Sequence, residues 1–315
     1  MNPYAALTTW TLDPVEALGL ALLLGAYLYA IGPWRSRRLP DEPFPRRQAI
    51  CFVSGMIVLA LTLFSPLDAL GRDYLFTAHT TQLFLIITAA TPLLLLGLPD
   101  WLVTRMLPAS AIRSASRGLL FSGVAIVLFN GLILVWHIGP FYEAGLHNPL
   151  LHDLENLCFL LAGLITWWPL ITPADAHARM ANAQQIVYLV LESLPLDVFG
   201  AFTLFAPGIF YHTYAVAPRL WDISAILDQQ VGGAILAVPG NILDVILMSI
   251  VFFGWIGQME REQIARERLQ YGDDALPVAA TATIDMSGAS DTSDTSDASG
   301  ASIGAVPTEE GQIAR

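Results

Sequence analysis

Residues 76–97 read FTAHTTQLFLIITAATPLLLLG. No Asp, Glu, Lys or Arg interrupts these 22 residues. An uncharged apolar run of about 18 or more residues is long enough to cross a bilayer as a helix. Two side chains near its start break the pattern. His79 and Gln82 lie three residues apart, so they share one helix face. An imidazole and an amide there need partners from neighbouring segments, because hydrocarbon supplies none.

The rest of the chain repeats the theme. Charged residues make up 13% of the sequence, roughly half the quarter or so typical of soluble proteins. Mean hydropathy is +0.56. Seven candidate spans emerge, at about residues 15–31, 48–64, 76–98, 118–136, 151–170, 185–205 and 231–257. The expected fold is therefore an all-α polytopic membrane helix bundle. Residues 1–271 form the bundle with a short helical extension, EREQIARER (260–268), whose opposite charges at helical spacing suit a solvated face. Residues 272–315, rich in Ser, Thr and Asp, are expected to be a disordered acidic tail. Much of the net charge of −12 sits in that tail, so it argues for no nucleic-acid partner. The first apolar run lacks a basic leader and a small-residue cleavage site, and reads as a retained span. A Pro-Gly pair in VPGN (238–241) predicts a kink or break in the last span.

Every basic residue is arginine, and the arginines are lopsided. Arg35, Arg37, Arg38, Arg46 and Arg47 follow span 1; Arg105, Arg113 and Arg117 follow span 3; Arg179 follows span 5; Arg261, Arg266 and Arg268 follow span 7. The opposite loops hold only Arg72 and Arg219. The positive-inside rule then puts the N-terminus outside and the C-terminus in the cytoplasm. Trp167, Trp168 and Trp255 fall where headgroup-level aromatics are expected.

With that orientation, five of the six histidines gather at the outer face. They are His79, His137, His147, His152 and His212; only His177 lies inside. Neutral imidazole is a good ligand for copper, zinc and iron. Glu155 shares a helix face with His152, and Asp228 precedes span 7 on the same side. His79, His137, His152 and His212, with Glu155 and Asp228, are therefore candidate metal ligands. Each histidine alone also fits an interfacial hydrogen-bonding role. Glu192, Asp197 and Asp244 lie within spans and must face the bundle interior, as a polar path beneath the outer site or as helix–helix contacts. Cys51 and Cys158 form neither a disulfide framework nor a CxxC site. No nucleotide loop, GxSxG or HExxH is present, so no catalytic chemistry is expected. The sequence does not establish two histidines facing one another at one depth, the arrangement a b-type haem would use.

Several stretches together resemble one family. They are SPLDALG (65–71), FTAHTTQ leading into ATPLLLLGLP, the run WHIGPFYEAGLHNPLLHDLENLCFLLAGLITWWPL (136–170), and LDQQVGG (227–233). Their order and context resemble the CtaG family of polytopic assembly factors for haem-copper oxidases of the caa(3) type, over about residues 50–257. The resemblance implies a non-enzymatic role in the bacterial inner membrane. It implies copper supply or insertion at the periplasmic face, with oxidase subunits or other assembly factors as partners. Family members usually carry a second histidine four residues after each of those matched by His79 and His152. Here Leu83 and Asn156 occupy these positions, so both pairs are halved. The alternative expectation is a transporter of a metal or small solute, suggested by the intramembrane acids and the Pro-Gly pair in span 7.

Overall fold

The structure is a computed structural model that describes residues 3–106, 119–171 and 180–271. His177, Arg113, Arg117, Arg179 and the expected acidic tail lie outside the described residues. All long elements among the described residues are helices. In chain order they are α1 (Pro14–Arg38), α2 (Arg46–Phe64), α3 (Pro66–Asp73), α4 (Phe76–Leu96), α5 (Asp100–Met106), α6 (Leu119–Trp136), α7 (Gly139–His147), α8 (Pro149–Ile171), α9 (Asn182–Leu204), α10 (His212–Val216) and α11 (Ala225–Tyr271).

Six of these are long and apolar enough to cross a membrane: α1, α2, α4, α8, α9 and α11. The expected fourth span differs from a simple rod. Residues Ser122–Trp136 and Gly139–His147 meet at a 68° bend and pass the length test together, which makes a seventh span if the pair is one. The bend follows His137, where Gly139 and Pro140 open a new helix; Pro is favoured in a first turn because its missing N–H has no partner there anyway.

Local sequence explains the other boundaries. Asp13 accepts the Val15 N–H and Pro14 opens α1. Ser65 caps α3 in the same way, accepting from Leu67 N–H. Within α4, residues Ile86–Ala90 form a π turn just before Pro92. Proline lacks the N–H of an α-helical turn and its ring collides with the carbonyl four residues back, so the ladder widens locally. The Ile87 carbonyl is taken instead by the Thr91 hydroxyl and the Trp167 indole N–H, the latter at 2.7 Å. Trp167 is thus buried against α4, with its indole N–H spent on the protein. Last, α11 runs through residues 238–241 without a break, with Pro239 inside it, so of the two outcomes expected from VPGN the break does not occur.

The bundle packs around α4, more than half of whose apolar window is buried, against about a tenth for α1 and α11. Small residues let helices approach, as is usual where lipid provides no hydrophobic drive between them. A Cβ at Gly233 would stand 2.7 Å from the Gly200 carbonyl oxygen, so α9 and α11 touch backbone to backbone.

The chain divides into two compact units, Met1–Gly257 and Gln258–Arg315. In the second, the described residues carry Arg266 3.7 Å from Glu262, and Gln258 and Gln263 donating to Glu262 and Glu267, all four residues apart on an exposed face.

Candidate functional site

A polar chamber sits where α4 begins. His79, on the first turns of α4, is 2% exposed. His137 comes from the α6–α7 bend, and its ring centre lies 5.8 Å from that of His79. His152 and Glu155, three apart on α8, point the same way as helix spacing requires. His79 Nε2 is 3.8 Å from Glu155 Oε1, and His152 Nδ1 is 3.5 Å from Glu155 Oε2. Three histidines and a glutamate from three separate segments therefore meet in the interior.

Their hydrogen bonding is incomplete in a patterned way. His137 Nδ1 lies 2.9 Å from the Ile133 carbonyl oxygen. A carbonyl can only accept, so Nδ1 carries the proton and Nε2 keeps a free lone pair. His152 Nε2 lies 2.8 Å from Asp68 Oδ1, which leaves Nδ1 turned to Glu155. His137 Nε2, His152 Nδ1, both ring nitrogens of His79 and both carboxylate oxygens of Glu155 are buried without a hydrogen-bond partner. Burying so many unmet polar atoms costs on the order of 1–3 kcal/mol each. A buried carboxylate needs a proton, a cation or donors.

Aromatic rings close the chamber. Tyr142 lies 4.9 Å from the His79 ring centre and stacks on Tyr211 at 3.8 Å. The Tyr142 and Tyr214 hydroxyls are 3.0 Å apart, Tyr214 donates to the Gly71 carbonyl, and Tyr211 donates to the His137 carbonyl at 2.8 Å. Burial pushes the Tyr214 phenol well above its usual value, so it stays a neutral donor. Gly145 on α7 leaves room for the glutamate: a Cβ there would stand 3.1 Å from Glu155 Oε2.

Of the residues expected to form the site, His79, His137, His152 and Glu155 come together. His212 does not join them. It opens α10 with its side chain exposed, while Tyr211 and Tyr214 on either side turn inward. His147 is also exposed, with Nδ1 on the Glu143 carbonyl. Asp228 is buried but committed elsewhere. Its carboxylate accepts the Phe76 and Thr77 N–H groups at 2.7 and 3.0 Å, which caps α4 from α11. Its neighbour Gln229 accepts from Phe210 N–H and donates to the Gly208 carbonyl.

Asp68 is the residue that reading along the chain did not single out. It is buried, and it holds His152 and receives Gln82 Nε2 at 3.3 Å. Its only signal was its place in SPLDALG. Leu83 is fully buried, and Asn156 donates to Glu16 on α1 at 3.0 Å. Neither adds a ligand to the chamber. Among the described residues, no group of three or more His, Cys, Asp or Glu is arranged to hold a metal ion as it stands.

A second polar region lies deeper. Glu192, Asp197 and Asp244 border a cavity of about 60 Å³ with Thr166 and Ser193. The Thr166 hydroxyl donates to Glu192 Oε2 at 3.0 Å, and Asn130 Nδ2 donates to the Glu192 carbonyl.

Residues 25–258 match the family described as cytochrome c oxidase caa3 assembly factor (Caa3_CtaG), and the chain belongs to that family. No curated protein and no solved structure matches the chain. The family is one of multi-pass membrane assembly factors, not of enzymes.

Proposed function

Taking membership of that family as the premise, we propose that this chain serves maturation of a haem-copper oxidase by holding copper reversibly at the periplasmic face of the bacterial inner membrane. In this reading the arginine bias puts the start of α4, and the chamber with it, toward the outside, and the oxidase subunits or other assembly factors receive the ion there. Copper is cargo rather than a resident cofactor. His79, His137 and His152 are the proposed nitrogen ligands, Glu155 the carboxylate, and Asp68 the group that orients His152.

One observation supports this most: of the nine unpartnered buried side-chain atoms among the described residues, six belong to the imidazoles of His79, His137 and His152 and the carboxylate of Glu155, groups that bind metals. Two of these histidines each have one ring nitrogen fixed on an oxygen acceptor, the usual support for a metal-bound imidazole. The 3.5 and 3.8 Å gaps between imidazole nitrogens and Glu155 oxygens are near the roughly 3.3 Å that separates neighbouring ligands on a tetrahedral ion with bonds of about 2.0–2.1 Å. With Leu83 and Asn156 where histidines would extend it, the set has no imidazole beyond three and completes itself with a carboxylate, a weaker donor for Cu(I), which suits an ion that must leave again.

Copper analysis of purified protein tests this. Wild type should retain copper after Cu(I) exposure and desalting, and the His79→Ala, His152→Ala double variant should not. Equal copper in both would remove the chamber as the site. A deletion strain should lose oxidase activity at low copper and regain it with added copper.

The transporter alternative rests on the intramembrane acids. Their cavity shares no lining residue with the cavity beside the chamber described next. Uptake of labelled copper into proteoliposomes above empty vesicles would favour it.

A further inference from the structure

The chamber has a polar neighbour on the side of α1. A cavity of about 330 Å³ is lined by Asp13, Glu16, Asp68, Arg72, His152 and Asp153, with the exposed segment before α1 at its rim. Four of those side chains are carboxylates and one is a cation. The wall shared with the chamber is His152, which is 2% exposed. Its Nε2 faces Asp68 in the cavity at 2.8 Å, while its Nδ1 has no hydrogen bond and faces Glu155 in the chamber at 3.5 Å. One imidazole thus touches both spaces. Asp153 adds a second unmet group, with its Oδ2 buried and unpartnered. Asn156 holds Glu16 in place through Oε1.

We propose that this cavity is the vestibule by which a copper ion reaches the chamber, attracted by Glu16 and Asp153 and passed by Asp68 and His152 to the imidazoles of His79 and His137. The inference rests on the chamber's being a copper site. The cavity's carboxylates outnumber the single arginine four to one, and a cleft dominated by one sign of charge focuses potential and speeds capture of the opposite charge. Carboxylate oxygens are hard donors and hold a soft ion such as Cu(I) poorly, whereas imidazole retains it better. The vestibule therefore gathers the ion without trapping it. Arg72 works against capture and sets its rate.

The test uses full-length, metal-stripped protein in detergent, mixed rapidly with Cu(I) as its cationic acetonitrile complex. Quenching with excess bicinchoninate at set times reads the ion not yet taken up as colour, which gives the loading rate, and the end point gives the copper bound. A Glu16→Gln, Asp153→Asn variant should load about ten times more slowly and with weaker salt dependence, while reaching the wild-type end point. Arg72→Gln should load about three times faster. The charge-conserving Glu16→Asp, Asp153→Glu variant should keep the wild-type rate, which separates charge from misfolding. Wild-type rate and salt dependence in the neutralised variant would overturn the proposal. So would a lower end point, since the acids would then be holding the ion. If wild type itself takes up no copper, the chamber reading fails first and takes the vestibule with it; that outcome is recognised without any variant.

Discussion

Two buried polar regions flank the first turn of α4, and they are opposites. At Asp228 and Gln229 each described side-chain amide or carboxylate contact is met: the carboxylate takes two backbone N–H groups and the amide both accepts and donates. A few ångströms along the helix, His79 and Glu155 are equally buried and have no hydrogen bond at their polar tips. Burial is the same, so burial does not distinguish a ligand from a strut. Satisfaction does. A saturated group has already used its lone pairs on the fold. An unsatisfied one costs stability and persists where something else supplies the missing contact.

The contrast can be broken by exchanging what each region loses. Asp228→Ala strands two helix-terminal N–H groups in a dry site and should lower unfolding stability by about 3 kcal/mol. Thermal unfolding in detergent measures it, and an unchanged midpoint would mean the clasp is decorative. His79→Leu should act the other way. Replacing an unmet buried polar group by an apolar one of similar size is near neutral for stability, yet copper affinity should drop about a hundred-fold. A stability loss as large as that of Asp228→Ala would make His79 a strut as well. Leu83→His restores an imidazole four residues from His79 and should raise copper affinity about ten-fold, read by competition with a chromophoric chelator.

The smallest effect belongs to the aromatic closure. Tyr214→Phe loses the bond to the Gly71 carbonyl and the contact with Tyr142, about 1 kcal/mol. The folded-state phenol lies above its unfolded value of about 10. Its contribution is therefore complete below that pH and fades only as pH rises beyond it. The difference between wild type and variant should stay constant from pH 6 to 9; a slope in that window would show that the hydroxyl is not the neutral donor the geometry requires.

What could be read along the chain was what local pattern encodes. Uncharged runs marked the membrane-length helices, and three- and four-residue spacing put His152 with Glu155. The 68° bend after His137 was less visible, because an apolar helix followed by Gly-Pro reads equally as a span and its loop. The role of His212 was not legible. It lies in a short connection without periodicity, so nothing local says that Tyr211 and Tyr214 turn in while it turns out. Asp68 was missed for a different reason: its partner His152 is 84 residues away. Asp228 was noticed for its chemistry, but only the fold reveals that its oxygens are occupied. The Trp167 bond to the Ile87 carbonyl was not legible, because nothing local in α8 says that a π turn in another helix leaves that carbonyl free.

The Asp228 clasp also bears on how the protein comes to be made. The N–H groups it holds lie at residues 76 and 77, and the carboxylate follows 152 residues after the first of them. A chain emerging N-terminus first carries α4 into the bilayer long before that carboxylate exists. The first turn of α4, with His79 on it, waits uncapped through the insertion of every intervening helix. The cap on the helix that carries His79 is made only when α11 arrives, so a ribosome that stops short leaves the first turn of α4 without it.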